Sequence, residues 1–312
     1  MHTDLNLKTT VEIPPTLIDP LEGYFFDLEA CPWVLLQKTA ADPFFLIGYF
    51  KDPIDLNRGI DAIKVAFPEI ENSFQTEELE AVVWQNAYKA YVKPWNDRQL
   101  HWVPLWSKES YTVPVGAACV YLDAGMAFGT GCHETTQLCA SRLVDFFNEQ
   151  NSKGSLSDCA INMVDAGCGS GILALSARAL GFKNIRGFDN DPDAIHVCHE
   201  NLSENPHVDS IHFTVDNLNS GLPQNSIDFL MANIQTNILM PFSEAIIKSL
   251  RPKAHLILSG ILSKEIDLLR THFETELKRL LPKASVRLDS RHKGEWSDLK
   301  VEIIACESSK NA

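Results

Sequence analysis

Ile161-Asn162-Met163-Val164-Asp165-Ala166-Gly167-Cys168-Gly169-Ser170-Gly171-Ile172-Leu173 decides the fold. Residues 161–165 read as an apolar strand, glycine then takes every second position, and residues 172–180 read as a helix. A strand that turns through glycines into a helix opens a βαβ unit. Its glycines let backbone approach a ligand, and the start of its helix leaves N–H groups free to bind one. Asp189 follows one strand later, at the distance where a carboxylate can take both hydroxyls of a ribose. Together these features point to a nucleoside site.

Downstream, strands at 184–189, 211–216, 227–234 and 255–260 alternate with helices, the one over 192–205 being opened by Pro192 in its first turn. Residues 285–290 and 299–305 close the chain as strands. This alternation predicts an α/β domain over 111–312, a doubly wound, Rossmann-like sheet. Residues 1–76 read differently, as a small α+β domain: an extended 7–13, a helix over 21–30, strands at 33–38 and 44–50, a helix over 57–66 and a final strand near Ser73. The Asp-Pro pairs at 42 and 52 punctuate turns between them. Between the domains, 77–92 carries a helical stripe of Val82, Val83, Ala87, Tyr88 and Tyr91, ended by Pro94. Residues 100–106 read as an edge strand, so 77–110 is expected to be a helical connector.

A second glycine run, Gly125-Met126-Ala127-Phe128-Gly129-Thr130-Gly131-Cys132-His133-Glu134-Thr135-Thr136, precedes the first and ends in hydroxyls. The two runs read as two backbone walls of one site. The dinucleotide fingerprint would place glycine at 172, where the chain has Ile172. Asp165 discriminates further, because a carboxylate would repel a pyrophosphate but favour the ammonium of a methionyl group. S-adenosyl-L-methionine therefore suits the loop better than a nicotinamide dinucleotide. Asn233, at the carboxyl end of the 227–234 strand, lies where open parallel sheets bind ligands. Its uncharged amide can orient an amine without trapping it as an ammonium ion. The alternative for Asn233 is a cap on the next helix.

Other motifs carry less. His133 is a candidate base, although a lone His beside a glycine loop more often packs or caps. His196, Cys198 and His199 fall on the polar side of a predicted helix without a fourth ligand, so no metal is expected. Ser170 fails the nucleophile-elbow pattern because 168 is Cys and 172 is Ile, and the 125–131 loop lacks a phosphate-loop lysine.

The chain has 312 residues, a net charge of −14 and eight cysteines with no C-x-x-C pair. No Lys/Arg cluster is present to grip nucleic acid, and a basic protein is the better electrostatic partner. The start lacks a signal-peptide core, no run reaches the roughly 18 apolar residues of a membrane span, and the cysteines suit a reducing compartment. A cytoplasmic monomer is expected.

The residues resemble the bacterial ribosomal protein L11 methyltransferases (PrmA). The resemblance lies in 122–131 with His133, Thr135 and Thr136; in 165–173; in Gly187-Phe188-Asp189-Asn190-Asp191-Pro192; in Ala232-Asn233-Ile234; in Leu258-Ser259-Gly260-Ile261-Leu262; and in Glu295-Trp296. Ala124 stands where proline is usual and Gln235-Thr236 where Leu-Ala is more common, and the first 75 residues match in pattern only. The resemblance implies a seven-stranded methyltransferase domain behind a ferredoxin-like domain that recognises the protein substrate. It implies that Thr136, Gly167, Asp189 and Asn233 contact S-adenosyl-L-methionine, with trimethylation of lysines and an N-terminal α-amine of the ribosomal target. Phe128, Gly129, Thr130, Asp165 and Gly169 are assigned to the same cofactor site, and Asn233 also to catalysis. A same-fold methyltransferase of another substrate, or an inactive cofactor-binding relative, are the alternatives.

Overall fold

The computed structural model describes residues 6–26, 32–36, 42–70, 72–79, 93–122, 133–154, 161–208 and 211–304. The chain divides into two compact units, Met1–Tyr91 and Val92–Ala312.

In the first unit, strand β1 (Asn6–Ile13), helix α1 (Ile18–Phe26), strands β2 (Trp33–Leu36) and β3 (Phe44–Phe50), helix α2 (Pro53–Ala66) and strand β4 (Gln75–Leu79) follow in order. All pairings are antiparallel, in the order β2-β3-β1-β4, which is the ferredoxin-like arrangement. Its core is built on Leu21, Leu46 and Ile63, with Trp33 edge-on to Phe50. Gly48 and Gly59 make room for those two rings, since a Cβ at either would lie 2.5 Å from a ring carbon. Helix α2 begins four residues earlier than expected. Asp52 is its N-cap, accepting from Ile54 N at 2.8 Å and Asp55 N at 3.0 Å, and Pro53 occupies the first turn, so the Asp-Pro pair starts a helix as well as ending a turn.

The second unit holds a seven-stranded sheet in the order β10-β9-β8-β11-β12-β14-β13. Strands β8 (Asn162–Ala166), β9 (Asn184–Asp189), β10 (His212–Val215), β11 (Ile227–Asn233) and β12 (Leu250–Leu262) pair in parallel. Strand β14 (Trp296–Ile304) runs antiparallel to both β12 and β13 (Ser285–Lys293). Alternate side chains feed two cores: Met163, Phe229 and Met231 point to one face, Val164, Leu230 and Ala232 to the other. Helices α3 (Glu134–Ser152), α4 (Ile172–Ala179) and α5 (Pro192–Ser203) contribute to the first core, and α7 (Ser243–Ser249) and α8 (Ile266–Leu280) to the second, with the short α6 (Thr236–Leu239) between them in sequence. Buried on both faces, the strands read as near-continuous apolar runs, which is why they are visible in sequence.

A further sheet, β5 (Trp95–Asp97), β6 (Leu100–Pro104) and β7 (Ala118–Leu122), belongs to this unit. Strand β6 is its centre, with all five residues buried, so the expectation of an edge strand at 100–106 is corrected. Trp102 stacks on Trp95 and donates its Nε1–H to Ser176 Oγ of α4 at 2.7 Å. Of the expected connector, Glu77 to Leu79 lie in β4 and 95–104 in this sheet, while 80–92 fall outside the described residues.

Two buried polar contacts set where the functional elements stand. Arg142 of α3 grips Asp298 of β14 with two bonds of 2.8 and 2.7 Å, and reaches Asp289 of β13 at 2.6 Å. Asp298 is 0% exposed, so Arg142→Ala strands a buried carboxylate; a loss of about 3–5 kcal/mol is expected in urea unfolding. Asp165 of β8 is also buried, its Oδ2 accepting the Ala174 N–H of α4 at 3.0 Å. Burial raises its pKa from 3.8 to about 7, with the nearby Asp189 charge adding to the rise. Because the folded value lies above the unfolded one, its contribution to stability is full below pH ~4 and is lost as pH rises through about 7. Across that window the stability of wild type relative to Asp165→Asn should fall by roughly 1.4 kcal/mol per pH unit, and a difference independent of pH would refute the assignment.

Candidate active site

At the carboxyl ends of β8, β9, β11 and β12 lies a cavity of about 590 Å³, within the range of small-molecule sites. It spans the point where strand order reverses between β8 and β11, where open α/β sheets leave a crevice.

The first wall is the loop between β8 and α4. Gly167, Gly169 and Gly171 adopt φ of 65, 52 and 77°, a left-handed conformation that costs an L side chain about 1–2 kcal/mol per residue. Gly167 and Gly169 line the cavity. A Cβ on Gly167 would meet Ile234 Cδ1 at 2.9 Å, so this wall also needs glycine for space. Asp189, at the end of β9, accepts Gly169 N–H on Oδ2 at 2.9 Å and Asp191 N–H on Oδ1 at 3.1 Å. Those two bonds orient the carboxylate and leave each oxygen a lone pair for a donor in the cavity.

The opposite wall is Asn233, at the end of β11. Its Nδ2 donates to Thr136 Oγ1 at 3.2 Å, while its Oδ1 is buried with no hydrogen-bond partner among the described residues. An orphaned buried oxygen costs about 1–3 kcal/mol, and this one belongs to a residue that lines the cavity. Gln235, not Asn233, is the N-cap residue of α6, so the capping alternative for Asn233 does not hold. Gly260 of β12, at φ 81°, lets that strand approach Ile234: a Cβ there would sit 2.9 Å from Ile234 O.

The first turn of α3 supplies the third side. His133 is its N-cap, with Nδ1 accepting the Thr135 N–H, and its ring meets Trp296 edge-on at 5.0 Å. His133 thus caps and packs in the cavity wall. Ser259 Oγ donates to Thr135 O at 2.9 Å, fastening this turn to β12.

Of the residues expected to bind cofactor, Gly167, Gly169, Asp189 and Asn233 line one cavity. Thr136 is buried and holds Asn233 from behind. Asp165 does not line the cavity either, and its bond to α4 makes it a brace for the loop where a direct partner for an ammonium was expected. Phe128, Gly129 and Thr130 lie outside the described residues. Cys198, expected on the polar side of its helix, is 0% exposed and packs beneath the glycine loop. Sequence reasoning passed over Asp216, Asn217 and Phe242, which also line the cavity. The first two follow the carboxyl end of β10, and that position was the available signal.

Comparison with known proteins agrees with this geometry. Residues 32–301 match the family described as Ribosomal protein L11 methyltransferase (PrmA). The Ribosomal protein L11 methyltransferase of Geotalea daltonii is 32% identical over 317 aligned residues, covering 95% of this chain and 97% of that protein. That of Hydrogenovibrio crunogenus is 31% identical, covering 84% and 87%. The crystal structure of the ribosomal protein L11 methylase from Lactobacillus delbrueckii subsp. bulgaricus superposes with a TM-score of 0.55 at 26% identity, over 68% of this chain and all of that one. By family match and by relatives aligned over nearly its whole length, the chain belongs to the ribosomal protein L11 methyltransferase family.

Proposed function

We propose that this protein transfers methyl groups from S-adenosyl-L-methionine to amines of ribosomal protein L11, namely lysine side chains and the N-terminal α-amine, in the cytoplasm. The observation that carries the reading is the unpartnered Oδ1 of Asn233, buried in the cavity wall opposite Asp189 and the glycine loop.

The donor set suits the cofactor. Asp189 keeps acceptor capacity for a ribose diol, Gly167 and Gly169 present bare backbone, and about 590 Å³ accommodates a nucleoside with an amino-acid tail. When bound, S-adenosyl-L-methionine supplies a methyl group activated by a sulfonium. The protein's part is to bring a neutral amine to it in line. Asn233 Oδ1 can accept one N–H of that amine, and Thr136 fixes the amide so that the oxygen, not the NH₂, is presented. A carboxylate at this place would favour the ammonium form, which has no lone pair to attack. Because Asn233 is no base, the proton leaves to water, and the rate gain comes from positioning and exclusion of solvent.

Charge supports a basic protein as the partner. Residues 1–91 carry 15 acidic and six basic side chains, a net −9 of the chain's −14. The small unit therefore supplies most of the field that would attract a cationic substrate.

Asn233→Ala should lower kcat for methyl transfer about 10²-fold while the melting temperature stays near wild type; full retained activity would remove Asn233 from the mechanism. Incubation of purified large-subunit proteins with methyl-labelled cofactor, followed by mass mapping, should place label on lysines and the α-amine of L11. Absence of label there, with transfer to another protein, would reject the substrate.

A further inference from the structure

Two carbonyls of the glycine loop are held from outside it. Cys198 Sγ lies 3.1 Å from Gly169 O, and Asn201 Nδ2 donates to Ser170 O at 2.9 Å. Both residues come from the inner face of α5. The close approach depends on Gly171, where a Cβ would meet Cys198 Sγ and Phe213 at 3.0 Å.

Asn201 is in turn tied to β7. Asn205, just beyond α5, donates Nδ2 to Asn201 O at 2.7 Å and to Tyr121 O at 2.7 Å, and accepts Tyr121 N–H on Oδ1 at 2.8 Å. Strand β7 is the edge of its sheet, and the Asn205 carboxamide pairs with both polar groups of Tyr121 as a neighbouring strand would. His207 adds a bond from Nε2 to Cys119 O at 2.8 Å. Asn201 and Asn205 are 2% and 0% exposed, and neither lines the cavity.

We propose that Asn201 and Asn205 are positioning residues for the cofactor: they clamp the Ser170 carbonyl to the β7 edge and so hold Gly167 and Gly169 in the conformation that binds. The physical reason is entropic. Glycine has the most conformational freedom to lose, and a loop fixed before binding spares the ligand that cost. Freed of the clamp, the loop still reaches the binding conformation, so affinity falls while the chemical step at Asn233 proceeds.

This inference rests on the cavity being the cofactor site, and the test separates the two. Calorimetric titration of the full chain with S-adenosylhomocysteine, below the melting transition, should give Asn201→Ala a Kd at least tenfold above wild type. The KM for S-adenosyl-L-methionine should rise in step, with kcat at saturation within about threefold of wild type. Asn205→Asp keeps the acceptor for Tyr121 N–H and loses both donations, so a smaller rise is expected. If Asn201→Ala does not fold, Asn201→Ser, whose hydroxyl is too short to reach Ser170 O, carries the same expectation. A purely structural role would lower the melting temperature and leave Kd within twofold, which would overturn the proposal. Asp189→Asn serves as the reference: weakened binding there with none at Asn201 overturns the clamp alone, whereas unchanged binding there overturns the cavity assignment and the clamp together.

Discussion

The cavity at the carboxyl ends of the strands depends on the chain leaving β8 through three left-handed residues within five positions. Only glycine takes that path without steric cost, and α4 starts directly from it at Ile172. The turn brings Gly169 N–H to Asp189 and leaves bare backbone on the cavity side. A loop of this kind has little stability of its own. Its conformation is imposed from outside, by Asp189 at the end of β9, by Cys198 and Asn201 from α5, and by Asp165 bracing the helix that follows.

The same economy governs the other walls. The hydroxyl of Thr136 is engaged by Asn233, and that of Ser259 by the first turn of α3. The helix itself is fastened to the β13–β14 hairpin by Arg142 and Asp298, away from the cavity lining. Buried polar groups are costly unless paired, so each such contact is a strong constraint on geometry. Against that background the unpaired Oδ1 of Asn233 stands apart, because folding leaves it without the partner that nearly every other buried polar side chain among the described residues has found.

Much of this is legible in the chain alone. The strands at 162–166, 184–189 and 227–233 are apolar enough to be read directly, since helices cover both faces of the sheet. The succession of strands and helices in the small unit is legible from their periodicity, whereas its ferredoxin-like order is what the family resemblance implies and the pairing of strands shows. Misreadings arise where tertiary context outweighs local pattern. Residues 100–104 look like an edge strand, yet strands on both sides and the α4 face bury them. Cys198 falls on the polar side of its helix by local pattern, but the glycine loop lies against it. Asp165 reads by its charge as a partner for an ammonium, and the helix that takes up one of its oxygens is invisible at that level.

Local periodicity, and what each side chain permits, are enough to settle the class of fold, the placement of the glycine turn and the chemical types lining the site. Which of those residues face the cavity and which stand behind it is settled only by the packed fold. Thr136 lies 97 positions from Asn233, and Tyr121 lies 84 from Asn205. Whether such groups meet is set by the crossing of strands and helices in the packed sheet, which no local pattern encodes.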